Sequence, residues 1–362
     1  MKKQHFFYAL IFYIIAVFYL AITTPISPHE AKIFYTSTDI VSTLMHWGDE
    51  LVGGFLGLRL FFVLLGLITV ILYYGLSRRY FSKPEDAYLA TILFMFLPGT
   101  LTATILVNVA ILVLPLVLFF VLMYERNNVW SLPFVMLALF FIHEASIIFF
   151  VALLLYAVAY KDKKLAIFSA AFLGTFIYLL KGIEIGGRPE GHFVEIFGLY
   201  ASIFSPLLFL YFFYAMYRIL LREKKTLLWY ISFTALAFSL LLSIRQRVLI
   251  TDFAPYVTIA IILMVDVFNH SVRVRLVEFQ KRYKIGFYVV VLFLGLSASV
   301  IIFHKLSYEL LGNTDKHFAK RIYKPYMLAK ELKTKEFPCY QGDKRSERYQ
   351  LRYYDIPPCG SY

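Results

Sequence analysis

Long apolar runs recur along the whole chain and are separated by short polar segments. Most runs are long enough to cross the roughly 30 Å hydrocarbon core of a bilayer. They are continuous and lack the polar alternation of transmembrane β-barrel strands. The pattern therefore predicts an all-α polytopic membrane protein with about eleven transmembrane helices, placed at residues 6–23, 58–77, 87–104, 107–124, 130–143, 145–160, 165–181, 196–219, 226–243, 254–268 and 285–303.

The composition agrees with this pattern. Of the 362 residues, 60% are hydrophobic and only 16% are charged, whereas charged residues make up about a quarter of an average soluble chain. The net charge is +13, but the basic residues cluster between the apolar runs and in the last sixty or so residues. Basic residues in such loops orient helices in the membrane, so the charge does not indicate a nucleic-acid partner.

The distribution of Lys and Arg predicts how the chain is oriented. With the N-terminus inside, the predicted inner loops carry roughly three times as many basic residues as the predicted outer loops before the tail. The first run is interpreted as a retained signal anchor, because it is too long for a signal-peptide core. The sequence thus predicts a transmembrane domain over 1–303, with a first outer loop at 24–57, and a small extracytoplasmic tail over 304–362.

The tail has features of its own. Apolar spacing predicts a helix over about 315–335, and Pro325 is expected to divide it. The two cysteines of the chain, Cys339 and Cys359, lie close by. In the outer compartment a disulfide between them is favoured over two free thiols, and closing this loop would contribute roughly 3 kcal/mol. The basic, tyrosine-rich end of the tail also suits an interaction surface.

Several unusual polar residues fall near the predicted outer face of the first spans. His29 and Glu30 lie in the stretch SPHEAKIFY, directly after the first apolar run. Arg59 begins the second span and Asn108 begins the fourth. These residues belong either to an ordinary solvent-exposed loop or to one wall of an active site.

Two further groups lie on the predicted outer side of later spans. His143 and Glu144 interrupt the apolar stretch ALFFIHEASIIFF, and ionisable groups at such depth usually face a cavity or a partner. Arg245 and Arg247 stand one residue apart at a helix mouth. Two guanidinium groups placed in this way suit a phosphate or diphosphate. The alternative is an ion pair with Asp252 or with an acid of the first outer loop.

Common cofactor motifs are missing from the sequence. It has no Walker or dinucleotide-binding glycine pattern, which excludes a transporter or enzyme driven by nucleotide hydrolysis. It also has no cysteine and histidine spacing typical of zinc sites. No cofactor and no metal site are predicted.

About the first 180 residues resemble the GT-C-type membrane glycosyltransferases, especially the branch with the protein O-mannosyltransferases and the lipid A aminoarabinose transferase. In that branch a first outer loop carries an acidic pair followed by an aromatic residue. SPHEAKIFY is similar to it, with His29 at the first acid and Glu30 at the second. Arg59, in GLRLFFVLLGLITVILYYGLSRRYF, matches the arginine that opens the second span of those enzymes. Asn108 falls near their second outer acidic position.

The resemblance implies inverting transfer of a sugar from a polyprenyl-phosphate-linked donor to an acceptor on the extracytoplasmic face, expected in the bacterial inner (plasma) membrane. A carboxylate would serve as general base, particularly if burial raises its pKa, and cations would hold the leaving phosphate. The roles expected are general base for Glu30 with His29 beside it, donor phosphate binding for Arg59, Arg245 and Arg247, and pocket lining for Asn108, His143 and Glu144.

Two other functions stay open. A transporter or flippase for a lipid-linked sugar would use the same basic outer mouth, although neither duplicated halves nor broken helices are evident in the sequence. A catalytically inactive GT-C-like subunit fits the replacement of two acids by His29 and Asn108. The partners expected are membrane lipids, a polyprenyl-phosphate sugar or another lipid-linked substrate, and, for the inactive subunit, a protein bound through 304–362.

Overall fold

The computed structural model describes residues 3–180, 191–310, 317–335, 337, 339–340, 344–357 and 359. Within these residues the chain forms nineteen α-helices: α1 (Lys3–Thr23), α2 (Pro28–Thr36), α3 (Ile40–Val52), α4 (Gly54–Tyr80), α5 (Pro84–Met95), α6 (Pro98–Ile105), α7 (Ala110–Glu125), α8 (Leu132–Ile142), α9 (Ser146–Tyr160), α10 (Lys163–Leu180), α11 (Phe193–Phe204), α12 (Pro206–Arg222), α13 (Leu227–Ser243), α14 (Ile250–Thr258), α15 (Ile261–Val274), α16 (Val277–Ile302), α17 (His304–Leu310), α18 (Lys320–Thr334) and α19 (Arg345–Tyr353).

The helices confirm the predicted all-α fold of an integral membrane protein. In the described part of the chain, α1, α4 and α16 are each long and apolar enough to cross a membrane, and up to six spans result if each bent helix pair counts as one. Four shorter apolar helices, α7, α8, α9 and α13, coincide with further predicted spans. Helix α10 coincides with the remaining predicted span at 165–181. Every predicted span therefore has a helical counterpart, while the count of eleven and the orientation remain predictions.

Three predicted spans are broken helices. The axis bends by 60° between α5 and α6, by 106° between α11 and α12, and by 43° between α14 and α15. Pro98 and Pro206 follow the first two breaks directly, and a proline cannot continue the hydrogen-bond ladder of the preceding helix. Broken helices, which were not evident in the sequence, are thus present at three places in the described part of the chain.

The first of two compact units consists of Met1–Tyr13, Leu65–Leu101 and Val109–Ala298. In it α9 packs against α10 and α13, α14 packs against α7 and α13, and α15 packs against α5 and α12. Stacked or edge-on aromatic rings fill the interior, for example Phe149 between Phe120 and Tyr256. This unit contains His143, Glu144, Arg245 and Arg247.

The second unit consists of Ile14–Leu64, Thr102–Asn108 and Ser299–Tyr362. Here α2 packs against α3 and α19, and α18 packs against α19. The unit therefore combines the first outer loop with the tail, and it contains His29, Glu30, Arg59 and Asn108. The predicted division of the chain at residue 303 remains a prediction.

Within the second unit the tail forms helices α17 to α19, and the start of its predicted helix falls partly outside the described residues. The expectation that Pro325 divides this helix is wrong, because α18 continues through Pro325. A proline lacks the N–H that would bond the carbonyl four residues earlier. That carbonyl, on Arg321, accepts a hydrogen bond from the Gln350 side chain instead, at 3.0 Å. Cys339 and Cys359 form a disulfide with an S–S distance of 1.97 Å.

Candidate active site

Helix α2 begins with a capping box built from Ser27 and Glu30. The Ser27 hydroxyl accepts a hydrogen bond from the Glu30 backbone N–H at 3.2 Å, and the Glu30 Oε2 accepts one from the Ser27 N–H at 2.8 Å. Pro28 occupies the first turn, where its missing N–H is not needed. These local contacts fix the backbone on both sides of His29 and aim the Glu30 carboxylate back across the start of the helix.

Arg59 meets this carboxylate in the interior of the second unit. Its side chain is 0% exposed, and its Nε and Nη2 atoms donate to the two Glu30 oxygens at 2.8 Å each. The remaining N–H groups donate to three backbone carbonyls that end the first helix and precede α2, on Ala21, Thr24 and Pro25, at 3.2, 2.6 and 3.1 Å. All five N–H donors of the guanidinium are thus in use.

Glu30 is equally occupied. Besides Arg59 and Ser27, its Oε1 accepts the backbone N–H of Val107 at 3.2 Å. Burial raises the pKa of the Glu30 carboxyl, but the charge and hydrogen bonds of Arg59, together with the bonds from Ser27, outweigh burial and hold the pKa below its ordinary value. The expected rise of this pKa through burial is therefore not the net result. Glu30 stays ionised, and its oxygens are already engaged by four N–H groups.

His29 differs from its neighbour. The residue is exposed, and no hydrogen bond to its ring is found among the residues that the structure describes. The neighbouring protein atoms still remove part of the water around the ring, and this desolvation lowers the pKa of His29 below its ordinary 6.5, an effect larger than the opposing charge of Glu30. Lys32 lowers the pKa further and Asp39 raises it. An imidazole that is neutral at neutral pH has a ring nitrogen that can accept a proton.

Asn108 stands next to Val107, whose N–H bonds Glu30, and is half-buried. The second unit thus gathers four of the predicted site residues around the start of α2: His29, Glu30, Arg59 and Asn108. Sequence reasoning missed Ser27 and Val107. Ser27 had a visible signal, because serine followed by glutamate three residues later is a capping-box pattern. A backbone N–H such as that of Val107 has no signal in the sequence.

In the first unit a cavity of about 530 Å³ is lined mainly by apolar residues, with Glu144, Arg247 and Asp252 as its charged members. His143, at the end of α8, places Nε2 3.3 Å from Oδ1 of Asp252. A second hollow of about 450 Å³ is lined by both His143 and Glu144. Both residues thus line a hollow of the first unit, while their expected role as the lining of a substrate pocket remains a prediction.

The two arginines at the helix mouth have different surroundings. Arg247 is 75% exposed and pairs with Glu195 at 3.1 Å. Its partner is thus neither Asp252 nor an acid of the first outer loop, the two alternatives to phosphate binding. Arg245 is exposed and is not among the residues that line the 530 Å³ cavity. Across the described residues, no cluster of three or more His, Cys, Asp or Glu side chains could hold a metal ion.

Comparisons with family models and with curated proteins find no match. Among solved structures, ArnT from Cupriavidus metallidurans in the apo state matches 97% of this chain and 84% of its own, with a TM-score of 0.57 and 15% identity. The same enzyme bound to undecaprenyl phosphate matches 99% of this chain and 86% of its own, with a TM-score of 0.61 and 13% identity. The chain has the ArnT fold. This confirms the predicted GT-C-like fold, and at such identity the likeness concerns the fold alone.

Proposed function

We propose that the protein is a membrane glycosyltransferase that moves a sugar from a polyprenyl-phosphate-linked donor to an acceptor at the extracytoplasmic face. Support comes from the similarity in fold to ArnT, which extends along nearly the whole chain. ArnT itself is known in a structure with undecaprenyl phosphate bound. The observation that carries the proposal is the exposed imidazole of His29, whose lowered pKa keeps it neutral beside a fully engaged carboxylate. No nucleotide site is needed when the donor is attached to a lipid.

His29 acts as the general base in this proposal. Its neutral imidazole takes the proton of the acceptor hydroxyl while that oxygen bonds to the anomeric carbon of the sugar. The bond between the anomeric carbon and the phosphate oxygen breaks, and its electron pair leaves with the polyprenyl phosphate, so the configuration inverts. Glu30 stays ionised, and its negative charge favours the imidazolium that forms. General-base catalysis of this kind contributes about 10²–10⁴-fold to the rate.

The roles of Glu30 and Arg59 change accordingly. Sequence reasoning gave the proton transfer to Glu30 and phosphate binding to Arg59. With every Arg59 donor in use and Glu30 engaged by four N–H groups, we assign the pair to positioning α2. The phosphate-binding role of Arg245 and Arg247 stays a prediction from the sequence. Both are exposed, and Arg247 lines a cavity of the first unit.

The test is transfer by purified protein in liposomes, with a panel of undecaprenyl-phosphate sugars and membrane acceptors. We expect His29→Gln to lower the transfer rate by about 10²–10⁴-fold without loss of folded protein. The acidic limb of the wild-type pH profile should report a pKa below 6.5, because desolvation by the surrounding protein lowers the pKa of His29.

His5→Gln is the matched control, because His5 is exposed at the start of α1. It should transfer at the wild-type rate. A His29→Gln variant that is equally active would show that the proton goes elsewhere.

Transport of a lipid-linked sugar is a second candidate, and the three bent helix pairs favour it, since broken helices are common in transporters. The inactive-subunit alternative has less support. Its proposed docking surface, the tyrosine-rich tail, already packs on its own first loop: Tyr353 packs edge-on against Phe34 and stacks on Phe55, with ring centroids 6.1 Å apart in both pairs.

A further inference from the structure

Gln350 is the tail residue that reaches the start of α2. It lies in α19 and is 1% exposed. Its Nε2 donates to the carbonyl of Ile26 at 2.8 Å and to the carbonyl of Arg321 at 3.0 Å. A side-chain amide has two N–H donors. One of them bonds the carbonyl of Ile26 and the other bonds the carbonyl of Arg321, so both are used.

Each of these two carbonyls has a specific place in the fold. Arg321 lies four residues before Pro325 in α18, and the proline cannot supply the N–H that this carbonyl would normally accept. Ile26 directly precedes Ser27, the cap of α2. Gln350 therefore satisfies the carbonyl that Pro325 leaves open and ties it to the entrance of the helix that carries His29 and Glu30.

Neighbouring residues of α19 add further contacts with α2. Tyr349 stacks on Tyr35 with ring centroids 6.2 Å apart, and the Arg352 guanidinium lies 4.6 Å from the centroid of the same ring. On its other side α19 packs through the buried Leu351 against Ala329 of α18. The short helix is thus held between α2 and α18.

The disulfide closes the segment that contains α19. Cys339 and Cys359 are separated by 20 positions, and α19 lies wholly between them. Beside the disulfide, Tyr340 donates to the carbonyl of Pro357 and Cys359 donates to that of Tyr340, both at 3.0 Å. Closing this loop reduces the freedom of α19 to leave its place.

We propose that α19 is a clamp on the helix of the catalytic base, with Gln350 as its positioning residue and the Cys339–Cys359 disulfide as its covalent lock. The effect on sugar transfer rests on the proposed function. The mechanical part of the proposal does not, because it concerns only the order of α2. Reduction of the disulfide would release the clamp, which makes the site sensitive to the redox state of its compartment.

The test replaces Gln350 by methionine, which keeps the length of the side chain and removes both donors. In the full-length protein, hydrogen exchange of the α2 amides should accelerate by roughly five- to a hundred-fold, the factor that corresponds to the loss of a buried hydrogen bond. When α2 loosens, the neighbouring protein desolvates the His29 ring less, so its pKa should rise and the acidic limb of the transfer profile should shift to higher pH. A role limited to overall stability would leave that limb unchanged.

Ser346→Ala, at an exposed position of α19, is the matched control and should change neither quantity. If Gln350→Met folds poorly, the wild-type protein treated with a reductant provides the second measurement, and exchange should accelerate in α19 and α2 but not in α13. Unchanged α2 exchange in both experiments would overturn the clamp. Faster exchange without any transferase activity in the wild type would support the clamp and reject the proposed function.

Discussion

The partners of Glu30 decide whether it is a structural or a catalytic carboxylate. Its place three residues after Ser27 marks a capping box, and this part could be predicted from the sequence. The ion pair with Arg59 joins residues 29 positions apart, and the Val107 bond joins residues 77 apart. Such contacts depend on how helices pack, so the sequence alone did not show that the Glu30 carboxylate is anchored; its role as a base remains a prediction. His29, at a position where the resemblance to GT-C enzymes implies an acid, was the less obvious candidate.

Glu30→Gln tests the anchoring role. The substitution removes the charge that compensates the buried Arg59, so we expect the free energy of unfolding to fall by about 3–5 kcal/mol. Thermal unfolding of purified protein measures the loss. Replacing both partners, by Glu30→Gln with Arg59→Met, should destabilise less than the sum of the two single changes, because no unpaired charge remains buried.

The same pair predicts how stability depends on pH. The pKa of Glu30 is lower in the folded protein than its ordinary value, so its contribution is fully present above about pH 5 and is lost as the pH falls below about 4. Glu331→Gln is the control, because Glu331 pairs with Lys335 on an exposed helix face. If the Glu30→Gln variant unfolds at the same temperature as the wild type, the ion pair of Glu30 with Arg59 does not stabilise the first outer loop.

At the level of helices, hydropathy indicated where the helices lie. A segment that crosses a membrane must satisfy its backbone hydrogen bonds within itself, so a long apolar run forms a helix. The bends were partly foreseeable. Pro98 and Pro206 stand at two of the three breaks. The break between α14 and α15 has no proline at Ile259 or Ala260; the nearest proline before it, Pro255, lies inside α14.

The crossing of α3 and α4 depends on two glycines. A Cβ on Gly48 would collide with the backbone oxygen of Gly57, and a Cβ on Gly57 would lie 2.9 Å from the oxygen of Gly48. We expect Gly48→Ala to separate the helices and lower the free energy of unfolding by about 1–3 kcal/mol. Thermal unfolding of the purified variant measures the effect.

Gly75→Ala is the control in α4, because a Cβ there meets no atom within 4 Å. It should leave stability unchanged or raise it by about 0.5–1 kcal/mol, the usual advantage of alanine over glycine in a helix. Equal effects of the two substitutions would mean that close approach does not govern this crossing.

For the whole molecule, the order of apolar runs and the motif SPHEAKIFY were enough to predict the GT-C-like fold. The site was predictable only in part. His29, Glu30, Arg59 and Asn108 lie together in the second unit, as the resemblance implies. Arg247 pairs with Glu195 of α11, which lies 52 positions earlier in the chain, and no local pattern in the sequence encodes that contact.

The most direct test of the central claim follows the donor lipid by mass spectrometry. Purified protein in liposomes is given an undecaprenyl-phosphate sugar and an acceptor lipid, and both lipid products are quantified. A transferase releases undecaprenyl phosphate in step with a sugar-sized mass increase on the acceptor, and His29→Gln should abolish both changes. If the donor instead stays chemically intact while it moves between leaflets, the protein is a transporter and the proposed chemistry is wrong.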